Sequence, residues 1–175
     1  QEIQRKIQPA RLARQAGRIT AAGMNELCED ASGDYYDLIE LPDGRLVFGV
    51  GDVSGHGLGS ALVMAQARVW LRAGVRTSSV PVELVTQLND SLTPDLESGK
   101  FMTFFLGVVD PATGRVEWCS AGHPPAMLYH AADHRVEELP AGGIMLGVFA
   151  GFAFKAGEAF TLEPGDMLLV FTDGA

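Results

Sequence analysis

The chain has 175 residues, 47% of them apolar, with 22 Asp and Glu against 13 Lys and Arg, and a formal net charge of −9. That length corresponds to one domain, and the apolar fraction is enough for a substantial core, which argues against intrinsic disorder. The acidic balance excludes a nucleic-acid-binding surface, because such a surface needs basic side chains to displace phosphate counterions.

The sequence also favours a protein without a membrane anchor or a disulfide framework. No run approaches the roughly 18 apolar residues of a membrane-spanning helix, and the polar N-terminus, QEIQRKIQ, is unlike a signal peptide. Cys28 and Cys119 are far apart and lack metal-binding spacing, which favours two reduced thiols over a disulfide. We therefore expect a cytoplasmic domain, cut from a longer chain because no initiator Met is present.

The first element predicted along the chain is a helix over residues 1–14. Its apolar residues recur at helical spacing, but Pro9 interrupts them, so the same pattern equally fits a connecting segment. We accordingly predict that residues 1–16 form a linker or signalling helix. The remaining residues, 17–175, are predicted to form the main domain.

Strands and then two helices follow. The predicted strands are 18–24, 34–41 and 45–53, and the last two form a hairpin around the turn Pro42-Asp43-Gly44. The predicted helices are 59–75, which is apolar enough to be largely buried, and 81–96, which begins with a proline.

Further strands complete the predicted chain. They are expected at 102–109, 115–121, 126–130 and 135–139, with a last pair, 158–162 and 166–171, around Glu163-Pro164-Gly165. Strands, then helices, then a run of antiparallel strands indicate an α+β fold rather than alternating βαβ units.

Three aspartates stand out because each lies at a predicted strand end beside a glycine: Asp34, Asp52 and Asp173. Without a His or Cys cluster nearby, they suggest oxygen ligands for a hard cation such as Mg²⁺ or Mn²⁺. Two such ions could share a carboxylate and activate a water for attack on a phosphoryl group. Each Asp-Gly pair alone is more often a simple turn, but Asp52 lies in a segment unusually rich in glycine, Gly51-Asp-Val-Ser-Gly-His-Gly57.

Other common catalytic motifs are missing from the sequence. It contains no GxGxxG dinucleotide motif, no P-loop, no GxSxG nucleophile elbow and no HExxH zinc motif.

The motifs present resemble those of a known family. SGDYYDLIELPDGRLVFGVGDVSGHGLGSALVMA, FMTFFLGVVD, AGHPPAMLY, GGIMLG and EPGDMLLVFTDGA occur in the order found in the bacterial SpoIIE/RsbU branch of the metal-dependent, protein phosphatase 2C-type serine/threonine phosphatases. The resemblance extends from about residue 17 to the end. It implies two packed antiparallel β-sheets flanked by helices, an α-β-β-α sandwich, whose C-terminal part we expect to be missing here.

The resemblance also implies a site with two Mn²⁺ or Mg²⁺ ions. By position, Asp34 matches the first metal aspartate, Asp52 the aspartate that bridges both ions, and Asp173 the aspartate of the late motif. The backbone carbonyl of Val53 matches a main-chain ligand. Asp37 lies within the first motif but is expected to brace the site rather than bind metal.

Two departures from the family pattern concern the site. Ser54 occupies the position at which eukaryotic relatives have a general-acid histidine. His56 is offset by two residues, so a loop-structuring role is favoured over catalysis, and His123 is expected to be structural. A further metal aspartate, found near the end of family members, has no counterpart before Ala175.

By resemblance, we expect a phosphoserine/phosphothreonine protein phosphatase that is the output domain of a bacterial signalling protein. A metal-activated water would attack phosphorus directly. The expected partners are a phosphorylated STAS-type substrate protein, an upstream sensor or receiver domain acting through the two helices, and a second copy in a homodimer. The alternatives are a non-catalytic scaffold that sequesters a partner and a small-molecule phosphatase.

Overall fold

A computed structural model describes residues 10–25, 33–97 and 99–172. The helices within these residues are α1 (Leu58–Gly74) and α2 (Pro81–Leu92). The strands within them are β1 (Arg11–Ala16), β2 (Ile19–Met24), β3 (Tyr35–Glu40), β4 (Leu46–Val53), β5 (Met102–Val109), β6 (Arg115–Ala121), β7 (Ala126–His130), β8 (Arg135–Leu139), β9 (Phe160–Thr161) and β10 (Met167–Leu169).

These strands form two main antiparallel sheets and a hairpin. The larger sheet has the order β3-β4-β5-β6-β9, the smaller has the order β10-β7-β8, and β1 pairs with β2 alone. The predicted hairpin between β3 and β4 is confirmed, with the backbone N–H of Gly44 donating to the Leu41 carbonyl at 2.9 Å. The Gly44 φ of 85° is one that glycine adopts without steric cost.

The five-stranded sheet has a hydrophobic core on each face. On one face, both helices pack against alternate residues of the central strands, Val47, Val53, Phe104, Leu106 and Cys119 among them. On the other, Phe105 and Trp118 pack against buried residues of β7 and β8. The α+β fold with two packed sheets is thus confirmed. The described residues supply a helix layer to one side of the two sheets, and the second helix layer of the expected sandwich stays a prediction.

The N-terminal helix prediction is wrong where it can be examined. Residues 11–16 are strand β1, which pairs with β2 across a tight turn at Gly17 and Arg18. The local apolar pattern was weak, and cross-strand hydrogen bonding outweighs it. Residues 1–9 lie outside the described residues, and the predicted boundary after residue 16 falls in the turn of this hairpin.

Helix α1 is less buried than its apolar sequence predicts. One stripe faces the sheet, formed by Ser60, Met64, Ala67 and Leu71. The side chains on the remaining surface include several that are large, apolar and exposed: Leu58 (73%), Leu62 (58%), Val69 (62%) and Trp70 (47%). The reason is that α1 lies in an outer layer, with the sheet on one side only. Neither helix of the described chain is long and apolar enough to cross a membrane.

The last two predicted strands are found, but they are shorter and lie in different sheets. β9 pairs with β6, whereas β10 pairs with β7. The intervening turn therefore carries the chain from one sheet to the other. This crossing joins the two layers near the C-terminal end of the described chain.

An ion pair fixes α1 on the sheet. The Asp37 carboxylate, 5% exposed, accepts two hydrogen bonds from the Arg72 guanidinium, each at 2.7 Å. It also accepts from the Tyr35 hydroxyl at 3.1 Å and from the Leu38 N–H at 3.0 Å. Burial, and then the Asp37 charge, raise the pKa of Tyr35, which keeps its hydroxyl a donor. Asp37 is therefore committed to the helix layer, and its expected role in bracing the site stays a prediction.

We predict that Arg72→Met lowers the free energy of unfolding by about 2 kcal/mol, because it leaves the buried Asp37 carboxylate without its counter-charge. Urea titration measures the change. The matched control is Arg76→Met, since Arg76 is exposed and has no ion pair among the described residues; we expect a change within about 0.5 kcal/mol. Equal effects of the two substitutions would contradict this role of the pair.

Candidate active site

Asp34 and Asp52 lie side by side at one end of the β3–β4 pair. The register places Tyr35 opposite Gly51 and Asp52 opposite Thr103. When this register is extended by one residue, Asp34 lies opposite Asp52. Residues opposite each other on neighbouring strands have Cβ atoms about 4.5–5.5 Å apart. Because side chains alternate along a strand, both half-buried aspartates belong to the sheet face away from the helices.

The backbone of Val53 meets that of Gly33 beside these aspartates. The Val53 N–H donates to the Gly33 carbonyl at 3.3 Å. A Cβ on Gly33 would lie 2.7 Å from the Val53 carbonyl oxygen and 3.2 Å from the Cβ of Ser60. Glycine is thus required for this close approach. Two neighbouring carboxylates and a nearby carbonyl form an oxygen donor set, which fits Mg²⁺ or Mn²⁺.

Ser54 anchors the loop that follows. Its backbone N–H donates to the Phe101 carbonyl at 2.9 Å, and its hydroxyl accepts from the Phe101 N–H at 3.1 Å. Its own carbonyl accepts from the Ser60 hydroxyl at 3.3 Å and from the Lys100 ammonium at 3.1 Å. The Ser54 hydroxyl, at the position where the resemblance implies a histidine in eukaryotic relatives, therefore helps to hold the loop to Phe101, just before β5.

His56 does not have the loop-structuring contacts that its sequence position suggested. Its side chain is exposed, and the hydrogen bonds found in the described part of the chain do not include it. The loop is instead held by Ser54, Ser60 and Lys100. Sequence reasoning missed Ser60 and Lys100, because their partner lies 6 and 46 residues away and no local motif indicates the contact.

His123 links the site to the last segment of the chain. It is completely buried, with Nδ1 3.0 Å from the Thr103 hydroxyl and Nε2 3.1 Å from the Phe171 carbonyl. A carbonyl can only accept, so Nε2 carries the proton and Nδ1 accepts from Thr103. Burial lowers the pKa of His123 to about 4 and keeps the ring neutral. The structural role expected for His123 is confirmed.

The third predicted aspartate, Asp173, lies outside the described residues. Among residues 10–25, 33–97 and 99–172, no three His, Cys, Asp or Glu side chains come close enough together to hold a metal ion. The structure thus brings together Asp34, Asp52 and the Val53 carbonyl, and it ties Phe171, two residues before Asp173, to the same strand end through His123 and Thr103.

The remaining thiol in this part of the chain is structural. Cys119 is free and buried, and its Sγ donates to the Lys155 carbonyl at 3.5 Å. Burial raises its pKa to about 11, which makes it a poor nucleophile. Its predicted state as a buried reduced thiol is confirmed, whereas Cys28 lies outside the described residues.

A comparison with the sequence models of protein families identifies the family of this chain. The sequence model for stage II sporulation protein E (SpoIIE) matches residues 42–175. The chain belongs to the SpoIIE family. The matched range contains Asp52, Val53 and Asp173, while Asp34 lies eight residues before its first residue, at position 42.

Individual relatives of this SpoIIE-family chain agree with the assignment. Phosphoserine phosphatase RsbU of Bacillus subtilis (strain 168) is 28% identical over 143 residues, covering 82% of the chain but 42% of RsbU. The crystal structure of the RsbU and RsbW domains of Rv1364c from Mycobacterium tuberculosis matches with a TM-score of 0.72 and 34% identity, over 84% of this chain and 40% of that one. The chain therefore spans less than half the length of either relative.

A more distant structure shares the fold. RsbX in complex with magnesium matches with a TM-score of 0.74 at 17% identity, covering 94% of this chain and 78% of RsbX. The same arrangement of sheets and helices is thus formed by widely divergent sequences.

We predict that Gly33→Ala weakens Mn²⁺ binding about tenfold, since the added Cβ would displace the Val53 carbonyl and the backbone before Asp34. Isothermal titration calorimetry measures the affinity. Gly59→Ala is the control, because a Cβ there meets nothing within 4 Å. Mn²⁺ affinities that are equal in the two variants would contradict a role for the Gly33–Val53 contact in the site.

Buried His123 should make the stability of the folded protein depend on pH. With a pKa near 4 in the folded protein and 6.5 ordinarily, His123 binds more proton when unfolded, so its contribution to stability rises with pH between these values. When the pH is lowered from 7 to 5, the free energy of unfolding of the wild type should fall by about 2 kcal/mol more than that of His123→Gln. Urea unfolding at both pH values measures this difference. Parallel losses in the two proteins would show that His123 is not buried and neutral.

Proposed function

We propose that this chain is the catalytic domain of a metal-dependent phosphoserine/phosphothreonine protein phosphatase, the output domain of a bacterial signalling protein. Membership of the SpoIIE family and the similarity to the phosphoserine phosphatase RsbU support the reaction class. The observation that carries the proposal is the pairing of Asp34 with Asp52 beside the Val53 carbonyl.

The proposed metal ligands are Asp34, Asp52, the Val53 carbonyl and Asp173, which together would hold two Mn²⁺ or Mg²⁺ ions. The oxygen-only donor set supports a hard cation, and the fold neighbour RsbX binds magnesium. When bound, such ions would lower the pKa of a water and neutralise charge on the phosphoryl group.

The chain's own residues would organise the hydrolysis. By resemblance, Asp52 would be the carboxylate shared between the two ions, and it lies between Asp34 on one strand and Thr103 on the other. His123 would hold the segment before Asp173 against the same strand end. Water would attack phosphorus directly, the bond to the serine or threonine oxygen would break, and inorganic phosphate and the free hydroxyl would leave.

The substrate and partners are inferred from the resemblance and from the relatives. We infer a phosphorylated STAS-type protein as substrate, a cytoplasmic location, and an upstream sensor or receiver domain that acts through α1 and α2. We also infer a homodimer. The exposed apolar side chains of α1 support its use as an interaction surface.

The proposal predicts a Mn²⁺-dependent activity that requires Asp52. In the full-length protein, Asp52→Asn should lower kcat on phosphoserine protein substrates by about 1000-fold, equivalent to about 4 kcal/mol, because a shared carboxylate is lost. Initial-rate assays with and without Mn²⁺ measure this, and thermal melting checks that the variant folds. Asp43→Asn is the matched control, since Asp43 lies in the exposed turn of the same hairpin, paired with Arg45; its activity should be unchanged.

Each negative result of these assays favours a different alternative function. Activity that survives Asp52→Asn, or that survives removal of metal by EDTA, contradicts the metal mechanism. A folded, inactive wild type that still binds a partner indicates the scaffold. Equal activity on small phosphoesters and on phosphoproteins indicates a small-molecule phosphatase.

A further inference from the structure

Lys100 contacts the loop that follows Asp52, although it belongs to no predicted motif. It is half-buried just before β5, and its ammonium donates to the Ser54 carbonyl at 3.1 Å. Ser54 in turn exchanges two hydrogen bonds with Phe101, and it comes two residues after Asp52. The ammonium is therefore held against the loop that continues from the candidate metal ligands.

Gly55 provides the space in which this ammonium lies. A Cβ on Gly55 would be 2.5 Å from Lys100 Nζ, and the Gly55 φ of 85° is itself unfavourable for other residues. The ammonium therefore lies directly against the main chain at Gly55, where no side chain intervenes. The position of the ammonium is fixed by its hydrogen bond to the Ser54 carbonyl and by the space at Gly55.

Lys100 forms no ion pair within the part of the chain that the structure describes. Within the described residues, no carboxylate lies within 4 Å of its ammonium, whereas Arg72 is committed to Asp37 on the helix side of the sheet. An ammonium has three N–H donors, and the bond to Ser54 uses one of them. The other N–H groups have no hydrogen-bond partner within the described residues and could bind an oxyanion.

We propose that Lys100 is a substrate-binding residue, whose ammonium donates to a non-bridging oxygen of the phosphoryl group. This inference rests on the proposed function, because it concerns how the same site recognises its substrate. A cation held on the loop that follows Asp52 would attract the negatively charged phosphoryl group of a substrate. A lysine acts here as a point charge, which suits a phosphoryl group that changes geometry during transfer.

The alternative is that Lys100 only clamps the loop through Ser54. Lys100→Gln separates the two roles, because the amide keeps a donor for the Ser54 carbonyl but carries no charge. Lys100→Arg keeps the charge. Lys155→Gln is the control, since Lys155 is an exposed lysine with no ion pair among the described residues.

The experiment uses the full-length protein and inorganic phosphate as the probe. Phosphate binding to the Mn²⁺-saturated protein is measured by calorimetry, together with Mn²⁺ affinity and thermal melting. In Lys100→Gln we expect phosphate binding to weaken about tenfold and Mn²⁺ affinity to stay within about twofold, while Lys100→Arg recovers most of the phosphate affinity. Lys155→Gln should match the wild type.

The outcomes separate this inference from the proposed function. Unchanged phosphate affinity in Lys100→Gln overturns the inference, as does a wild type that binds no phosphate. A parallel fall in Mn²⁺ affinity also overturns it and assigns Lys100 to loop positioning. If the wild type lacks phosphatase activity but binds phosphate through Lys100, the proposed function fails and the inference stands.

Discussion

The register of the β3–β4–β5 ladder is the constraint on which the other features of the site depend. It places Asp34 and Asp52 on the sheet face away from the helices, and Asp37 on the helix face against Arg72. A slip of one residue would exchange these faces and separate each carboxylate from its partners. The two hydrophobic cores prevent such a slip, because it would also expose the buried side chains of the central strands.

The site extends this ladder by hydrogen bonds rather than by flexible connections. The loop after β4 is tied to β5 through Ser54 and Phe101, and the last described segment is tied to the same strand through Thr103 and His123. Such fixed positions matter because neighbouring carboxylates repel each other and need cations to balance them. The proposed metal ions would supply that positive charge.

Much of the fold follows from local sequence signals. The β3–β4 hairpin was predictable because Pro42-Asp43-Gly44 specifies a turn, and both helices follow from their spacing. The paired aspartates were reached through Gly-Asp motifs and family resemblance. Strand β1 was not predictable, because its pairing with β2 outweighs a weak helical pattern. The burial of α1 depends on which layers surround it, and the contacts of Lys100 and His123 join segments tens of residues apart, so tertiary structure alone reveals them.

The proposed function requires that Asp34 and Asp52, side by side on one face of the sheet, are ligands of one metal centre. A crystal structure of the full-length protein with Mn²⁺, with anomalous scattering used to locate the ions, tests it most directly. We expect two anomalous peaks about 3.5–4 Å apart, with the Asp52 carboxylate touching both, and Asp34 and the Val53 carbonyl each touching one. Peaks that lie elsewhere, or a fully loaded protein in which Asp52 contacts no ion, would contradict it.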